Sequence, residues 1–577
     1  MACCALPVPP AAAHAEPAPL ADRLAERWVA LQRDNGTFLD AIRPDTHDWG
    51  RYGESGVGYG LMLAGVRAGR PDWVEAGARA QAYAAAKAAD RLSVFESMLI
   101  ASGYNLLRSR APATPAFAQQ RTVWEDYLRT IGPVYNARLD AEHLPSNKYL
   151  VEAVAYLELA RSGLSSPIPG AVLHRPGEAR RRGLDVINRL VPKRVRTHRG
   201  RAGGHRVTAL SDRYKQPLAY HSLTLGLLAR AIDLAGSAAS RRAREALRIG
   251  TRSLWAFQAP DGDLAYFGRS QSQSWALALA EYAAESAVPR SCRRGARAYR
   301  AVAERALRRL GARHPIGPTG MAIVPSANGP ATIPAIDDYA SQVVYNGLTL
   351  TALGWAAEAE RGRCGAGNLL ADRGSAAAVL PFESAGFATI RRGRVWMAAK
   401  RASQEGDGRS AFGIRALKRR APGGRWIDLV PEAPTAAGHP RGSFGPALLL
   451  RGGGLAKPRG KRIEVRRGRI VIHGGWVHRG RWVRRDVAFR FAPTARGARI
   501  VVPARKGDRI VYSALTDGRP EQVRRGVAAP VASTRASRRA QVRIRGPYAS
   551  SGSLDVWRSD LTVRANGRRV SFVVSAR

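Results

Sequence analysis

A phenol and an imidazole stand side by side at Tyr220-His221, inside "SDRYKQPLAYHSLTLGLL", where a polar, turn-like stretch gives way to helical spacing. Such a pair can pass a proton. The same residue types also pack the ends of buried helices, and the local sequence leaves both roles open. An unperturbed tyrosine has a pKa near 10 and serves as a base near neutrality only beside a cation. Arg213, Lys215 and Arg269 are the candidates. Adjacent residues on a regular helix point about 100° apart, so both rings can face one target only in a first, irregular turn, which Pro217 favours.

Other stretches hold polar groups at similar junctions. "PSNKYLVEAVAYLELA" sets Asn147 and Lys148 at the mouth of a helix, whose first amides favour anions. Asn147 therefore suits a carboxylate, with N-capping by Ser146 or Asn147 as the competing role. "DGDLAYFGRSQSQSW" brings Asp261, Asp263, Tyr266, Arg269, Gln271 and Gln273 together. Carboxylates, a ring, a cation and amides are what a sugar site uses, although a capped helix with a surface arginine reads the same. Trp49 lies in "IRPDTHDWGRYGESG" with Tyr52 and Glu54, and Tyr345 in "IPAIDDYASQVVYNGL" with Asp337, Asp338 and Asn346. Both add cleft-lining candidates, as does Gln216. The adjacent Asp pair keeps a two-carboxylate hydrolase open.

These junctions need a scaffold. From about Ala21 to Ala359 apolar residues recur at helical spacing between Gly, Pro and polar turns, which predicts roughly a dozen helices paired as hairpins around an axis. After "RGRCGAGNLLADRGS" the period falls to two: "KRIEVRRGRIVIHGGWVHRGRWVRRDVAFRFA" alternates apolar with arginine and breaks at Gly-bearing turns. That predicts an antiparallel β-sandwich with arginines largely on its solvent face.

The arrangement resembles the heparinase II/III-like and alginate lyase-like polysaccharide lyases, which join an incomplete (α/α) toroid to an antiparallel β-sandwich. The stretches that carry the likeness are "SDRYKQPLAYHSLTL", "PSNKYLVEAVAYLELA" and "FESAGFATIRRGRVWMAAK". With the change of period and the Ala13-His14-Ala15 pattern, residues 17–365 are read as the toroid and 366–577 as the sandwich, after a signal-peptide remnant over 1–16. The resemblance implies β-elimination from a uronate-containing polysaccharide, with Tyr220 and His221 moving protons while Asn147 and Arg269 neutralise the carboxylate. Lys148, Gln216, Tyr266, Gln271, Trp49 and Tyr345 would bind substrate. Lys148 stands where many such lyases have His, and "KRASQEGDGRSAF" lacks the His-rich segment with which some hold a metal. No cofactor or metal is expected. A toroid glycoside hydrolase and a non-catalytic binder of anionic polysaccharide are the alternatives.

Composition narrows the partners. Hydrophobic residues make up 45% of the 577, with 12 Trp, 17 Tyr and 12 Phe, enough for substantial cores. The net charge is +47, and the residues from Ala366 onward hold 44 Lys and Arg against 13 Asp and Glu. An anionic partner follows, an acidic polysaccharide before any specific nucleic acid, because the arginines follow strand alternation over many segments instead of one recognition element. No window reaches the roughly 20 apolar residues of a membrane span. Ala13-His14-Ala15 matches a signal-peptidase pattern and predicts a secreted or cell-surface protein. Cys292 and Cys364 are then one pair that export permits without requiring; C-x-x-C zinc spacing is absent. Phosphate-loop, zincin and nucleophile-elbow motifs are absent too.

Overall fold

A computed structural model describes residues 16–41, 52–87, 94–132, 146–197, 199–210, 218–264, 266, 273–289, 294–323, 341–360, 365–380, 386–401, 412–430, 445–516, 527–528, 533–542 and 554–575. Six helices have almost no polar face and are buried nearly all round: α2 (Gly53–Ala68), α4 (Val94–Arg110), α6 (Ser146–Arg161), α9 (Leu218–Ala235), α11 (Ser274–Ala287) and α13 (Gln342–Ala359). A helix apolar on every side belongs inside. These form an inner ring, each packed on the next. Outside them lie the more amphipathic α1 (Pro17–Val29), α3 (Pro71–Lys87), α5 (Pro115–Thr130), α7 (Pro176–Asp185), α8 (Val191–Thr197), α10 (Arg241–Phe257) and α12 (Arg294–Arg313). A π-helical turn over Val186–Leu190 joins α7 to α8, just before Pro192, whose missing N–H cannot continue a regular ladder.

The ring is joined where α13 packs back on α2. Small residues are the reason. A Cβ on Gly60 would stand 2.6 Å from Leu350 Cγ, and one on Gly347 would stand 2.9 Å from the Val57 amide nitrogen. Both distances are shorter than real contacts allow, so only glycine lets these helices meet. Asp40 then pins the α13 start to the connection before α2, accepting from the Ser341 hydroxyl at 2.6 Å and the Val343 amide at 3.1 Å.

Two antiparallel sheets follow. Seven strands run in the order β2-β1-β5-β6-β7-β8-β9: β1 (Arg199–Ala202), β2 (His205–Thr208), β5 (Ser375–Leu380), β6 (Phe387–Arg392), β7 (Val395–Lys400), β8 (Gly413–Arg420) and β9 (Trp426–Val430). β3 (Ile316–Gly317) and β4 (Gly320–Met321) form a separate small hairpin before α13. The hairpin β1–β2 lies between α8 and α9, yet β1 pairs with β5 through Arg201↔Val379. Two strands of the helical part thus extend the sheet, which the apolar period did not foretell. The ten-stranded sheet includes β10 (Gly445–Leu449), β11 (Leu455–Arg466), β12 (Arg469–His478), β13 (Arg481–Pro493), β14 (Gly497–Pro503) and β15 (Arg509–Thr516). Ile390, Met397 and Ile414 of the first sheet share one apolar cluster with Ile472, Phe489 and Ile500 of the second, which makes the pair a sandwich.

The opposite face of the seven-stranded sheet covers the toroid. Phe387 meets Phe257 with 4.6 Å between centroids, and Trp396 meets Tyr266 at 5.2 Å. Being covered on both sides, this sheet buries Arg391, Lys400, Arg401, Arg415 and Lys418, against the expectation of solvent-facing cations. Lys418 is fully buried and its Nζ donates to Asp428 at 2.6 Å and Asp261 at 2.8 Å, locking the two parts together.

Candidate functional site at the inner-helix rim

Up-and-down alternation sends every inner helix into the ring from the same end, so the starts of α2, α4, α6, α9, α11 and α13 gather at one rim. The Phe257–Phe387 and Tyr266–Trp396 contacts, just before α11, show that the seven-stranded sheet meets the toroid on this side. Asn147, Tyr220 and Trp275 occupy three successive starts, on α6, α9 and α11. Neighbouring packed helices stand about 8–10 Å apart, so adjacent starts lie within reach of one or two sugar rings.

Asn147 is half-buried. Its Oδ1 accepts from the Lys148 amide at 2.9 Å. Lys148 is exposed beside it. Tyr220 is 7% exposed and its ring stands edge-on to the Trp275 indole, 5.8 Å between centroids. Trp275 was not among the residues singled out from the sequence, although an aromatic residue directly behind the polar run "QSQS" was the available signal. Its Nε1 is buried without a hydrogen-bond partner among the described residues, and so is Oε1 of Gln273 two residues earlier. Buried polar atoms of this kind normally hold water or ligand.

His221 points elsewhere. Because α9 is regular from Leu218, the two rings diverge: Tyr220 faces α11 and His221 faces α10. The imidazole is fully buried, with Nδ1 accepting from the Leu210 amide at 3.0 Å and Nε2 bonded to the Gly250 carbonyl at 3.1 Å. Burial lowers its pKa to about 4, so it stays neutral. Both nitrogens are engaged with main chain, which corrects the proton-transfer role read for His221: it fastens the end of the β1–β2 hairpin to α10. Tyr266 is corrected likewise. Its hydroxyl donates to the Phe257 carbonyl at 2.9 Å and its ring is wholly buried, so it supports the sheet and offers no face to a sugar. Asp261 and Asp263 also face Arg309 and Lys418.

Tyr345 lies in the first turn of α13 and is buried. Asn346, beside it, accepts from Trp28 Nε1 at 3.1 Å and the Met321 amide at 2.8 Å, a role in packing. Trp49, Gln216, Arg269 and Gln271 lie outside the described residues, as do Arg213, Lys215, Asp337 and Asp338.

Across the rim, Glu54 and Glu96 sit in the first turns of α2 and α4. Burial pushes the Glu96 carboxyl up to about 9, helped by the nearby charge of Glu54. Glu54 is raised to about 7, again by burial and then by Asp40. No helix among the described residues is long and apolar enough to cross a membrane.

No family model and no curated protein matches the sequence. Solved structures do. The chain is similar to the Streptomyces coelicolor A3 chondroitin AC lyase in complex with chondroitin sulphate, with a TM-score of 0.53 and 12% identity over 99% of this chain and 80% of that one. A Paenibacillus xanthan lyase matches with a TM-score of 0.49 and 10% identity, covering 97% of this chain and 56% of its own. A heparan sulfate lyase of Pedobacter heparinus matches with a TM-score of 0.43 and 12% identity, over 97% and 83%. The helical ring, the sandwich and their order along the chain are thus the same toroid-and-sandwich fold as in that chondroitin AC lyase structure.

Proposed function

We propose that this protein is a secreted or cell-surface polysaccharide lyase that cleaves an acidic, uronate-containing polysaccharide by β-elimination. The reading is supported by the placement of Asn147 and Tyr220 at successive inner-helix starts, with the Tyr220 ring against Trp275 and with Trp275 Nε1 and Gln273 Oε1 buried without partners among the described residues. The fold shared with a chondroitin AC lyase and the net charge of +47 support it.

The chemistry follows from those groups. The Asn147 amide donates to the uronate carboxylate and draws off its charge, which acidifies the adjacent carbon. The Tyr220 phenolate takes the proton from that carbon. The electron pair left behind forms a carbon–carbon double bond, and the bond to the 4-linked oxygen breaks. The same hydroxyl, now protonated, returns its proton to the departing oxygen. Arg269, outside the described residues, is assigned the second contact to the carboxylate.

Acidic glycans incubated with the protein should release an unsaturated product that absorbs in the ultraviolet. Tyr220→Phe should remove that activity by at least about 100-fold and leave folding unchanged. New reducing ends without absorbance would replace the lyase by a hydrolase, and binding without either product would leave a binding protein.

A further inference from the structure

The lyase reading leaves most of the positive charge unused, since the excess lies in the β part and the rim belongs to the toroid. The charge is not evenly spread there. On the outer face of the ten-stranded sheet, three cations close on one indole: Lys461 Nζ stands 5.2 Å from the centre of the Trp482 ring, Arg459 Cζ 5.9 Å and Arg485 Cζ 6.0 Å. Arg459 and Lys461 come from β11 and Arg485 from β13, with β12 between them. Trp482 crosses that gap by lying over Gly475 of β12, where a Cβ would stand 2.8 Å from the ring. All three cations are exposed and the indole is half-buried.

Three like charges within about 6 Å of one ring repel one another, and cation–π attraction offsets this only in part. Among the described residues none of the three forms an ion pair. Of the acids on these strands and the next loop, Glu464 pairs with Arg462 at 3.5 Å and His473 at 3.0 Å, Asp508 pairs with Arg484 at 2.8 Å, and the exposed Asp486 beside Arg485 forms no ion pair with the three cations among the described residues. Such a cluster lacks only an anion. An aromatic plate between cations also suits a polymer with an apolar ring face and regularly spaced carboxylates or sulfates.

We infer that this face carries a second, non-catalytic site for an acidic polysaccharide, centred on Trp482 with Arg459, Lys461 and Arg485 as its anion contacts. The need for an anion stands on the geometry; the polysaccharide as its carrier rests on the function proposed above. The seven-stranded sheet separates this face from the toroid rim, so only a long chain can occupy both, and a short oligosaccharide cannot. Holding the polymer here raises its local concentration at the rim.

The test uses the full chain with long chondroitin sulfate as probe, and neutral dextran and duplex DNA as comparisons. The triple variant Arg459→Gln, Lys461→Gln, Arg485→Gln changes exposed side chains, and circular dichroism should match the parent. Its Kd for chondroitin sulfate should rise at least about tenfold, with the slope of log Kd against log salt reduced by about three. Trp482→Ala alone should raise Kd several-fold, and dextran should bind neither protein. A control triple of Arg180→Gln, Arg181→Gln and Arg241→Gln removes the same charge from the toroid surface and should leave Kd within about twofold. Equal losses in the two triples would reduce the effect to net charge and overturn the site. An unchanged Kd in the first triple would do the same, and tighter binding of DNA than of chondroitin sulfate would assign the face to nucleic acid. If no glycan yields an unsaturated product while the first triple still loses binding, this site stands and the lyase reading falls.

Discussion

The Trp275 indole meets the Tyr220 ring edge-on, with 86° between their planes and 5.8 Å between centroids. The contact joins the starts of α9 and α11 and holds the phenol at the rim. Trp275→Leu keeps apolar bulk but loses the ring edge. It should lower kcat on a responsive glycan by about 10- to 100-fold while changing KM little, and Trp275→Phe should restore most of the rate. Full activity in the Leu variant would show that Tyr220 is positioned by other contacts.

His221 should prove a stability residue. His221→Phe retains volume and leaves the Leu210 amide without its acceptor, at a cost of about 2–3 kcal/mol in denaturant unfolding. The wild-type imidazole binds a proton far less readily when folded, about 4 against an ordinary 6.5, so wild-type stability should fall as pH drops from 6.5 towards 4. The Phe variant should lose that dependence. A large loss of kcat with unchanged stability would return His221 to the chemistry.

Ring closure should depend on Gly347. In Gly347→Ala the new methyl would meet the Val57 amide and the Gly56 carbonyl carbon at 2.9 and 3.0 Å, where the neighbour is backbone and cannot step aside. The expected loss is about 1–3 kcal/mol, read as an earlier denaturant midpoint. Gly295→Ala, which has nothing within 4 Å of its Cβ, should cost little and serves as the control.

Glu54 and Glu96 should make stability decline on the alkaline side. Their folded pKa values, about 7 and about 9, lie above the ordinary 4.5 because burial disfavours the carboxylate. The contribution is fully present below pH 4.5 and is lost as pH rises through the folded values, with a slope of up to about 1.4 kcal/mol per pH unit for each group. Glu96→Gln should flatten the segment between about pH 7 and 9. A slope unchanged in that variant would place its origin in another group.

Much of this architecture is legible one residue at a time. Helical spacing up to Ala359 and alternation from Ser375 onward are local records of which side chains are buried, and they suffice for a ring of helices followed by a sandwich. Asn147 and Tyr220 are legible as helix starts because polar turn residues precede apolar runs there. Adjacency in the chain misled for His221, since a regular turn of helix sends neighbouring side chains to different partners. Tyr266 misled for a related reason: its surroundings along the chain are polar, whereas its surroundings in space are Trp396 and the Phe257 carbonyl.

The sequence by itself determined the element types, their order, and the concentration of positive charge in the last third, because periodicity and composition are properties of short windows. Tertiary structure alone decided that α13 closes on α2, that β1–β2 joins the sheet of the sandwich, and that Lys418 is buried between Asp261 and Asp428. It alone set Trp482 among three cations from two strands. Each of these joins segments separated along the chain, through glycine clearances, sheet register and charge pairing that no local pattern encodes.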